Sequence, residues 1–249
     1  SIAVAGTHGK TTTTSLVAWI LDCAGRKAGF LIGGAPADFE FSARLGNDPV
    51  FVIEADEYDT AFFDKRAKFL LYRPQTLIIN DLEFDHADIY PDLAAITRQF
   101  HQLIRAIPGN GTLIVPGKDA NVDALLKLGC WTPLQRFASS NGAVADWTAC
   151  EDPPGTLSIR HGNAEIGRCD WQLSGAHNAE NALAALLAAV SVGVPPAVAI
   201  EAIGRFGGVR RRLQRIGDFR GVQLFDDFAH HPTAIRRTLE AVRRRAGVR

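Results

Sequence analysis

The stretch Ala3-Val4-Ala5-Gly6-Thr7-His8-Gly9-Lys10-Thr11-Thr12 constrains this chain more than any other. The apolar run from Ile2 to Ala5 reads as a buried strand. It breaks at two glycines that bracket a tight turn, and from Lys10 onward the pattern is helical. Strand, glycine turn, Lys-Thr pair and helix together build a phosphate cradle. The glycines let backbone N–H groups point inward, and the helix N-terminus adds partial positive charge. The Lys10 ammonium can then reach the outer phosphates of a nucleotide, with the Thr11 hydroxyl on Mg²⁺. Val4 stands five residues before Gly9, so the loop is a short G-x-x-G-K-T and not the general G-x-x-x-x-G-K-[ST]. A plain glycine turn is the alternative, and the flanking strand and helix argue against it.

A chain of 249 residues can bury a sizeable core, enough for one large domain and part of another. Its 27 basic and 27 acidic residues cancel, so no global field favours nucleic acid or an anionic membrane. No apolar run reaches the ~18 residues of a membrane span. Cys23, Cys130, Cys150 and Cys169 have no C-x-x-C spacing, which fits free thiols in a reducing cytoplasm. There is no methionine, the chain opens on a core strand, and it stops within a helical pattern from Thr233 to Arg245. These features lead us to expect further material at both ends.

Beyond the first helix (Lys10 to Ala24, stopped by Gly25), strands are expected at Ala28–Ile32, Val50–Ile53, Thr76–Ile79 and Thr112–Val115. Residues 35–49 read as loop or irregular edge. Helices are expected over Asp92–Ala106 and Ala120–Leu128. The alternation predicts an α/β fold, a P-loop domain with a mostly parallel sheet flanked by helices. Short runs at Leu134–Phe137, Trp147–Cys150, Leu157–Arg160 and Ile166–Leu173 suggest a small antiparallel subsheet. Helices return at His177–Val192 and from Pro195-Pro196 to about Phe206. Gly207-Gly208 reads as a domain boundary, followed by a strand at Val222–Phe225 and a helix opening at Pro232.

In a parallel sheet, ligands bind beyond the carboxyl ends of the strands. Three chemically loaded loops follow strands directly: the glycine loop, Glu54-Ala55-Asp56-Glu57-Tyr58-Asp59, and Asn80-Asp81-Leu82-Glu83-Phe84-Asp85-His86-Ala87-Asp88. Glu54, closest to its strand, is the better Mg²⁺ ligand candidate, while Asp56, Glu57 and Asp59 read equally well as a solvated acidic loop. His86 is a weaker candidate, since imidazole is not a preferred Mg²⁺ partner. Asn178 and Asn181 share a helix face and can offer two amides to one planar base, or simply cap the helix. Arg210-Arg211-Arg212, near a phosphate loop, reads more sharply as an arginine delivered to a transferring phosphate than as a nucleic-acid patch. Asp227 and His230-His231 can be read as a metal cluster, but the sharper reading is that they follow a strand whose outgoing loop faces the same nucleotide.

Taken together, these stretches resemble the Mur ligases, the ATP-dependent amide-forming ligases of bacterial cell-wall synthesis. The matching segments are Gly6-Thr7-His8-Gly9-Lys10-Thr11-Thr12-Thr13, Glu54-Ala55-Asp56-Glu57, Asp85-His86-Ala87-Asp88, Gly175-Ala176-His177-Asn178-Ala179-Glu180-Asn181, Arg211-Arg212-Leu213-Gln214 and Asp226-Asp227-Phe228-Ala229-His230-His231-Pro232. They stand in the family's order and cover almost the whole chain. The family has a UDP-sugar domain, a central ATPase and a Rossmann-like domain that brings the amino substrate. By resemblance, residues 1–207 are the central ATP-binding domain and 208–249 the start of the Rossmann-like domain, with the UDP-binding domain absent.

The resemblance implies ATP and Mg²⁺ as co-substrate and cofactor. It implies that Gly6, Thr7, His8, Gly9, Lys10, Thr11 and Thr12 cradle the nucleotide, with Lys10 on the β and γ phosphates. Thr11 and Glu54 would hold one Mg²⁺, Glu54 and His86 a second. Asn178 and Asn181 would contact adenine, Arg212 the γ phosphate, Asp227 the ribose, and His230 would lie near the substrate carboxylate. Several members carry a carbamylated lysine about fifteen residues after the histidine matched by His86; here that position is His101. The branch that adds to UDP-N-acetylmuramate itself also lacks that lysine. Within this branch, Tyr58 and the run Phe62-Phe63-Asp64-Lys65-Arg66 look like the kind that adds a recycled tripeptide, L-alanyl-γ-D-glutamyl-meso-diaminopimelate, and not L-alanine. A folylpolyglutamate synthase has Gly-Lys-Gly-Ser in the loop, unlike Gly9-Lys10-Thr11-Thr12. A P-loop switch without ligase activity gives no reason for the paired asparagines or the Asp227 loop.

Overall fold

A computed structural model describes residues 1–139 and 145–246, the last three as backbone only. Residues 247–249 of the expected C-terminal unit lie outside the described residues. Strand β1 (Ile2–Ala5) leads through the glycine loop into helix α1 (Lys10–Cys23), then β2 (Gly29–Leu31), the short β3 (Ala43–Arg44) and β4 (Phe51–Glu54). A hairpin of β5 (Asp59–Ala61) and β6 (Asp64–Ala67) precedes a 3₁₀ turn at Lys68–Leu71. Next come β7 (Thr76–Ile79), α2 (Leu93–Ala106), β8 (Thr112–Pro116), α3 (Ala120–Lys127) and β9 (Leu134–Ala138). They are followed by β10 (Trp147–Glu151), β11 (Thr156–His161), β12 (Ala164–Asp170), α4 (Ala176–Ser191) and α5 (Pro196–Gly204). The chain ends in a hairpin of β13 (Gln214–Phe219) and β14 (Val222–Asp226) and in α6 (Pro232–Ala246).

Among the described residues, ten strands form one sheet in the order β12-β11-β10-β9-β8-β7-β1-β4-β2-β3. Side chains alternate across it with the strand period of two. Ile2, Val4, Ile78 and Ile114 enter one core with α1, α4 and α5, whereas Ala3, Ala5, Leu77, Ile79, Leu113 and Val115 enter another with α2 and α3. Helices on both faces explain why β1 and β7 are apolar throughout. The antiparallel strands are not a separate unit. β9 joins β8 and β10 in parallel, and β10, β11 and β12 extend the same sheet antiparallel.

After Lys10, helix α1 carries four threonines and a serine, poor helix formers that are nonetheless buried. Their hydroxyls turn inward: Thr14 donates to the Lys10 carbonyl and Ser15 to that of Thr11, each at 2.7 Å. Asp92 caps α2, its carboxylate accepting from the Ala95 amide at 2.7 Å. Gly207-Gly208 is no free linker. Gly207 N–H donates to Asp38 at 2.9 Å, Ala37 N–H to the Gly208 carbonyl at 2.9 Å, and Arg210 N–H to the Ala35 carbonyl at 2.9 Å. The C-terminal segment is thereby strapped to the 35–38 loop. No helix among the described residues is long and apolar enough to cross a membrane.

Candidate functional site

Strand β1 lies between β4 and β7, so three loops converge at one edge: the glycine loop, Glu54 and Asn80-Asp81. Gly6 and Gly9 have φ of 120° and 75°. A Cβ on Gly6 would stand 2.9 Å from the Asn80 nitrogen, and one on Gly9 2.3 Å from Asn181 Oδ1. Glycine is thus required twice over, by conformation and by space. The loop amides are partly committed: Thr7 N–H donates to the Asp81 carbonyl at 3.3 Å and His8 N–H to Asp81 Oδ1 at 2.8 Å. Gly9 supplies no side-chain cap to α1, so the first-turn amides of Lys10, Thr11 and Thr12 are the ones left for an anion.

Lys10 Nζ donates to the Gly6 carbonyl at 2.7 Å and pairs with Glu57 Oε2 at 3.1 Å. The other Glu57 oxygen lies 3.0 Å from His86 Nε2, and the Tyr90 hydroxyl donates to the Glu57 carbonyl at 2.5 Å. Glu57 is only 2% exposed. Burial would lower the Lys10 pKa, but Glu57, Asp56 and Glu54 outweigh it and hold the ammonium above the ordinary lysine value. The hydrogen bond to Glu57 likewise raises His86. His86 adopts φ of 58°, a strained value for a non-glycine residue, with its N–H held by Asp85 at 2.7 Å. The Tyr58 ring packs edge-on against it at 4.4 Å.

Glu54 faces α1 from the next strand end. Thr11 Oγ1 donates to Glu54 Oε1 at 2.9 Å, and Gly33 N–H to Oε2 at 2.6 Å. A hydroxyl and a carboxylate that close, beside a phosphate cradle, match the oxygen chemistry of Mg²⁺. The ligating atoms of Asp56, Glu57 and His86 lie within 4.8 Å of one another. His86 therefore groups with Glu57 and Asp56, where the resemblance had paired it with Glu54. Glu57 was legible only as one acid in a charged loop, since its burial comes from the fold.

A cavity of about 490 Å³ opens in front of these groups, between the sheet edge and the C-terminal segment. Thr7, His8, Gly9, Lys10, Thr11, Thr12, Glu54, His86, Asn178, Asn181, Arg212, Asp227 and His230 all line it, while Gly6 lies behind. Asn181 is already employed: its Oδ1 accepts from Thr13 Oγ1 at 3.2 Å and from Asn80 Nδ2 at 3.4 Å, and its Nδ2 faces Asn178 Oδ1 at 3.4 Å. Asn178 donates to the Ser174 carbonyl at 2.9 Å. Asp227 locks the arginine loop, accepting from Leu213 N–H at 2.6 Å and Ala229 N–H at 2.8 Å. The Arg212 guanidinium stands 5.4 Å from the Phe228 ring centroid, and His230 Nδ1 lies 3.0 Å from the Phe228 carbonyl. His101 does not line the cavity; its ring lies 6.3 Å from Trp131, and Phe100 is the buried neighbour on α2.

Sequence reasoning missed the groups that join the C-terminal segment to the phosphate loop. Asp81 takes Arg237 of α6 on Oδ2 at 3.1 Å while holding His8 N–H on Oδ1. Burial pushes the Asp81 carboxyl up, against the pull of His8 and Arg237. Glu83 Oε2 lies 3.3 Å from His8 Nε2 and 3.5 Å from His231 Nδ1. The available signal was the position of Asp81 and Glu83 just past a buried strand end.

Comparison with known proteins accords with this geometry. The Mur ligase middle domain matches residues 4–189, and the Mur ligase glutamate ligase domain matches residues 211–249. The chain is 50% identical over 248 residues to the UDP-N-acetylmuramate–L-alanyl-γ-D-glutamyl-meso-2,6-diaminoheptandioate ligase of Escherichia coli (strain K12), covering 99% of this chain and 53% of that protein. It is 38% identical to a UDP-N-acetylmuramate–L-alanine ligase of Solibacter usitatus, covering 97% of this chain and 50% of that protein. The crystal structure of a murein peptide ligase from Psychrobacter arcticus superposes with a TM-score of 0.81 at 43% identity, covering 98% of this chain and 54% of that one. The chain thus spans about half the length of the curated relatives it matches. Because the middle-domain match runs through the phosphate loop, the Glu54 strand end, the His86 loop and the asparagine helix, this chain belongs to the Mur ligase family.

Proposed function

We propose that the chain carries the ATP-binding centre of a ligase of peptidoglycan recycling in the cytoplasm. That ligase joins L-alanyl-γ-D-glutamyl-meso-diaminopimelate to the lactyl carboxylate of UDP-N-acetylmuramate. The observation that carries the reading is the Lys10–Glu57–His86 chain of contacts beside the Thr11–Glu54 pair, at adjacent strand ends. It stands in a chain 50% identical to a ligase of that printed name. On this reading, residues 1–207 form the ATP-binding domain and 208–249 open the domain that brings the acceptor.

A carboxylate oxygen of the muramate attacks the γ phosphorus, the bond from that phosphorus to the β,γ-bridging oxygen breaks, and ADP leaves. The amine nitrogen of the tripeptide then attacks the acyl carbon. Inorganic phosphate departs and the amine proton passes to solvent. The chain's part is positioning and charge. Lys10 grips the β and γ phosphates while Arg212 meets the γ oxygens from the C-terminal segment. Asn178 and Asn181 border the adenine, Asp227 the ribose, and His230 the substrate carboxylate. Mg²⁺, when bound, neutralises phosphate charge; Thr11 and Glu54 would hold one ion, and His86 with Glu57 would hold another.

L-Alanine as acceptor is the second reading, favoured by the 38% identical L-alanine ligase. The deciding measurement is kcat/KM for both acceptors with the intact parent enzyme at saturating ATP and UDP-N-acetylmuramate. The tripeptide offers carboxylates that free alanine lacks, and it should give the higher ratio. A higher ratio for L-alanine overturns the tripeptide assignment.

A further inference from the structure

His8, Glu83 and His231 form a second group of metal-ligating atoms, all within 4.8 Å of one another, that no step of the ligase chemistry uses. His8 comes from the phosphate loop, Glu83 from the loop after β7, and His231 from the turn that opens α6. Both imidazoles address a single carboxylate oxygen: Glu83 Oε2 is 3.3 Å from His8 Nε2 and 3.5 Å from His231 Nδ1. These separations are long for hydrogen bonds to a carboxylate. They are close to the ligand-to-ligand edge of a tetrahedral zinc site, about 3.3 Å for metal bonds of about 2.0–2.1 Å.

The hydrogen bonding around His231 makes the same point. The Thr233 backbone N–H, which can only donate, points at His231 Nδ1 from 3.2 Å. Nδ1 is therefore the unprotonated nitrogen; its one in-plane lone pair accepts from Thr233 over this long contact, which a bound ion would replace. The proton sits on Nε2, 3.4 Å from the Phe84 carbonyl. A ligating nitrogen on one side of the ring, with the other N–H on a backbone carbonyl, is how metal-bound histidines are held.

We infer that His8 Nε2, Glu83 Oε2 and His231 Nδ1 form a binding site for a borderline divalent transition ion of the Zn²⁺ class, bridging the phosphate loop and the C-terminal segment. Two imidazoles and one carboxylate select such an ion over Mg²⁺. The all-oxygen pair Thr11–Glu54 has the opposite preference, and the Asp56–Glu57–His86 group has one imidazole where this site has two. The His8 and His231 rings already lie against each other, tilted by 55° with centroids 4.8 Å apart, so the two segments are in place before any ion arrives.

The test titrates the chain with Co²⁺ as a spectroscopic substitute for Zn²⁺, in millimolar Mg²⁺ to fill the oxygen sites, and follows the visible d–d bands. One equivalent should give the strong bands of a four- or five-coordinate ion, displaced by Zn²⁺. His231→Ala should weaken Co²⁺ binding at least tenfold, with circular dichroism checking the fold. Glu83→Gln, which keeps the side-chain shape, should do the same. Glu57→Gln should leave the Co²⁺ titration unchanged. Absence of the bands, their persistence in Glu83→Gln, or their loss in Glu57→Gln instead would each overturn the site.

Discussion

The Lys10 ammonium stands 3.1 Å from Glu57 Oε2, behind the glycine loop, so the residue proposed to take an incoming phosphate is already paired. On the proposed reading, an incoming nucleotide takes the ammonium over from Glu57 and frees that carboxylate for a metal ion. Removing Lys10 leaves Glu57 buried with His86 alone. Lys10→Ala should therefore cost about 3 kcal/mol in urea unfolding and lower kcat of the intact parent by about 10²–10³. Adding Glu57→Gln to the lysine variant should recover much of the stability and none of the turnover. A folded Lys10→Ala enzyme with near-normal kcat would remove Lys10 from the phosphate site.

Glu57 was not distinguishable in sequence from its acidic neighbours, yet only it touches both Lys10 and His86. Glu57→Gln should raise the Mg²⁺ concentration for half-maximal activity of the parent about tenfold, because it removes one anionic oxygen ligand. A Mg²⁺ dependence identical to wild type would restrict Glu57 to holding Lys10.

Asn181 connects the helix opening at Ala176 to the phosphate loop, with Thr13 and Asn80 both on its carbonyl oxygen. Asn181→Ala leaves the buried Thr13 hydroxyl without its acceptor, although it still accepts from Asn80 Nδ2, and should cost about 1–3 kcal/mol, with a raised KM for ATP. Asn178→Ala loses one bond to the Ser174 carbonyl and should raise that KM with a smaller stability loss. Unchanged KM for ATP in both variants would dismiss the adenine assignment.

Helix α2 carries no lysine, and the position at which the resemblance places a carbamylated one is His101, which does not line the cavity. Activity of the parent should accordingly be indifferent to bicarbonate. Loss of turnover in carbon dioxide-free buffer, restored by bicarbonate, would contradict this.

Buried periodic segments were legible from the residues alone. Ile2–Ala5 and Thr76–Ile79 appear as strands at the expected bounds, and Lys10–Cys23 and Leu93–Ala106 as helices within a residue or so. The site was legible to the extent that its parts follow strand ends. The β5–β6 hairpin was not, because its turn is Phe62-Phe63, two exposed aromatics in place of the usual glycine or asparagine. The β13 strand was hidden by Arg215, Gly217 and Asp218, although Arg220-Gly221 with φ of 49° and 82° is a recognisable hairpin turn. Contacts such as Asp81–Arg237 span 156 residues, and no local pattern encodes them.

Arg26 anchors the carboxyl end of the phosphate-loop helix. It forks onto Asp48 with two bonds of 2.8 Å and donates to the Val192 carbonyl at 2.5 Å. The Arg26 guanidinium, with help from the Val50 N–H, holds the Asp48 carboxyl below its ordinary 3.8. A carboxylate depressed in the folded state stabilises fully above its unfolded pKa and loses that contribution as pH falls through the folded one. The Asp48 contribution should therefore be intact at neutral pH, begin to decline below 3.8 and vanish under the depressed value. Asp48→Asn removes the charge and should lower Tm by about 2–4 °C at pH 7. The gap between variant and wild type should close on acidification below 3.8 and narrow in high salt. A gap that stays constant down to the acid limit would show that Asp48 acts through neutral hydrogen bonds alone.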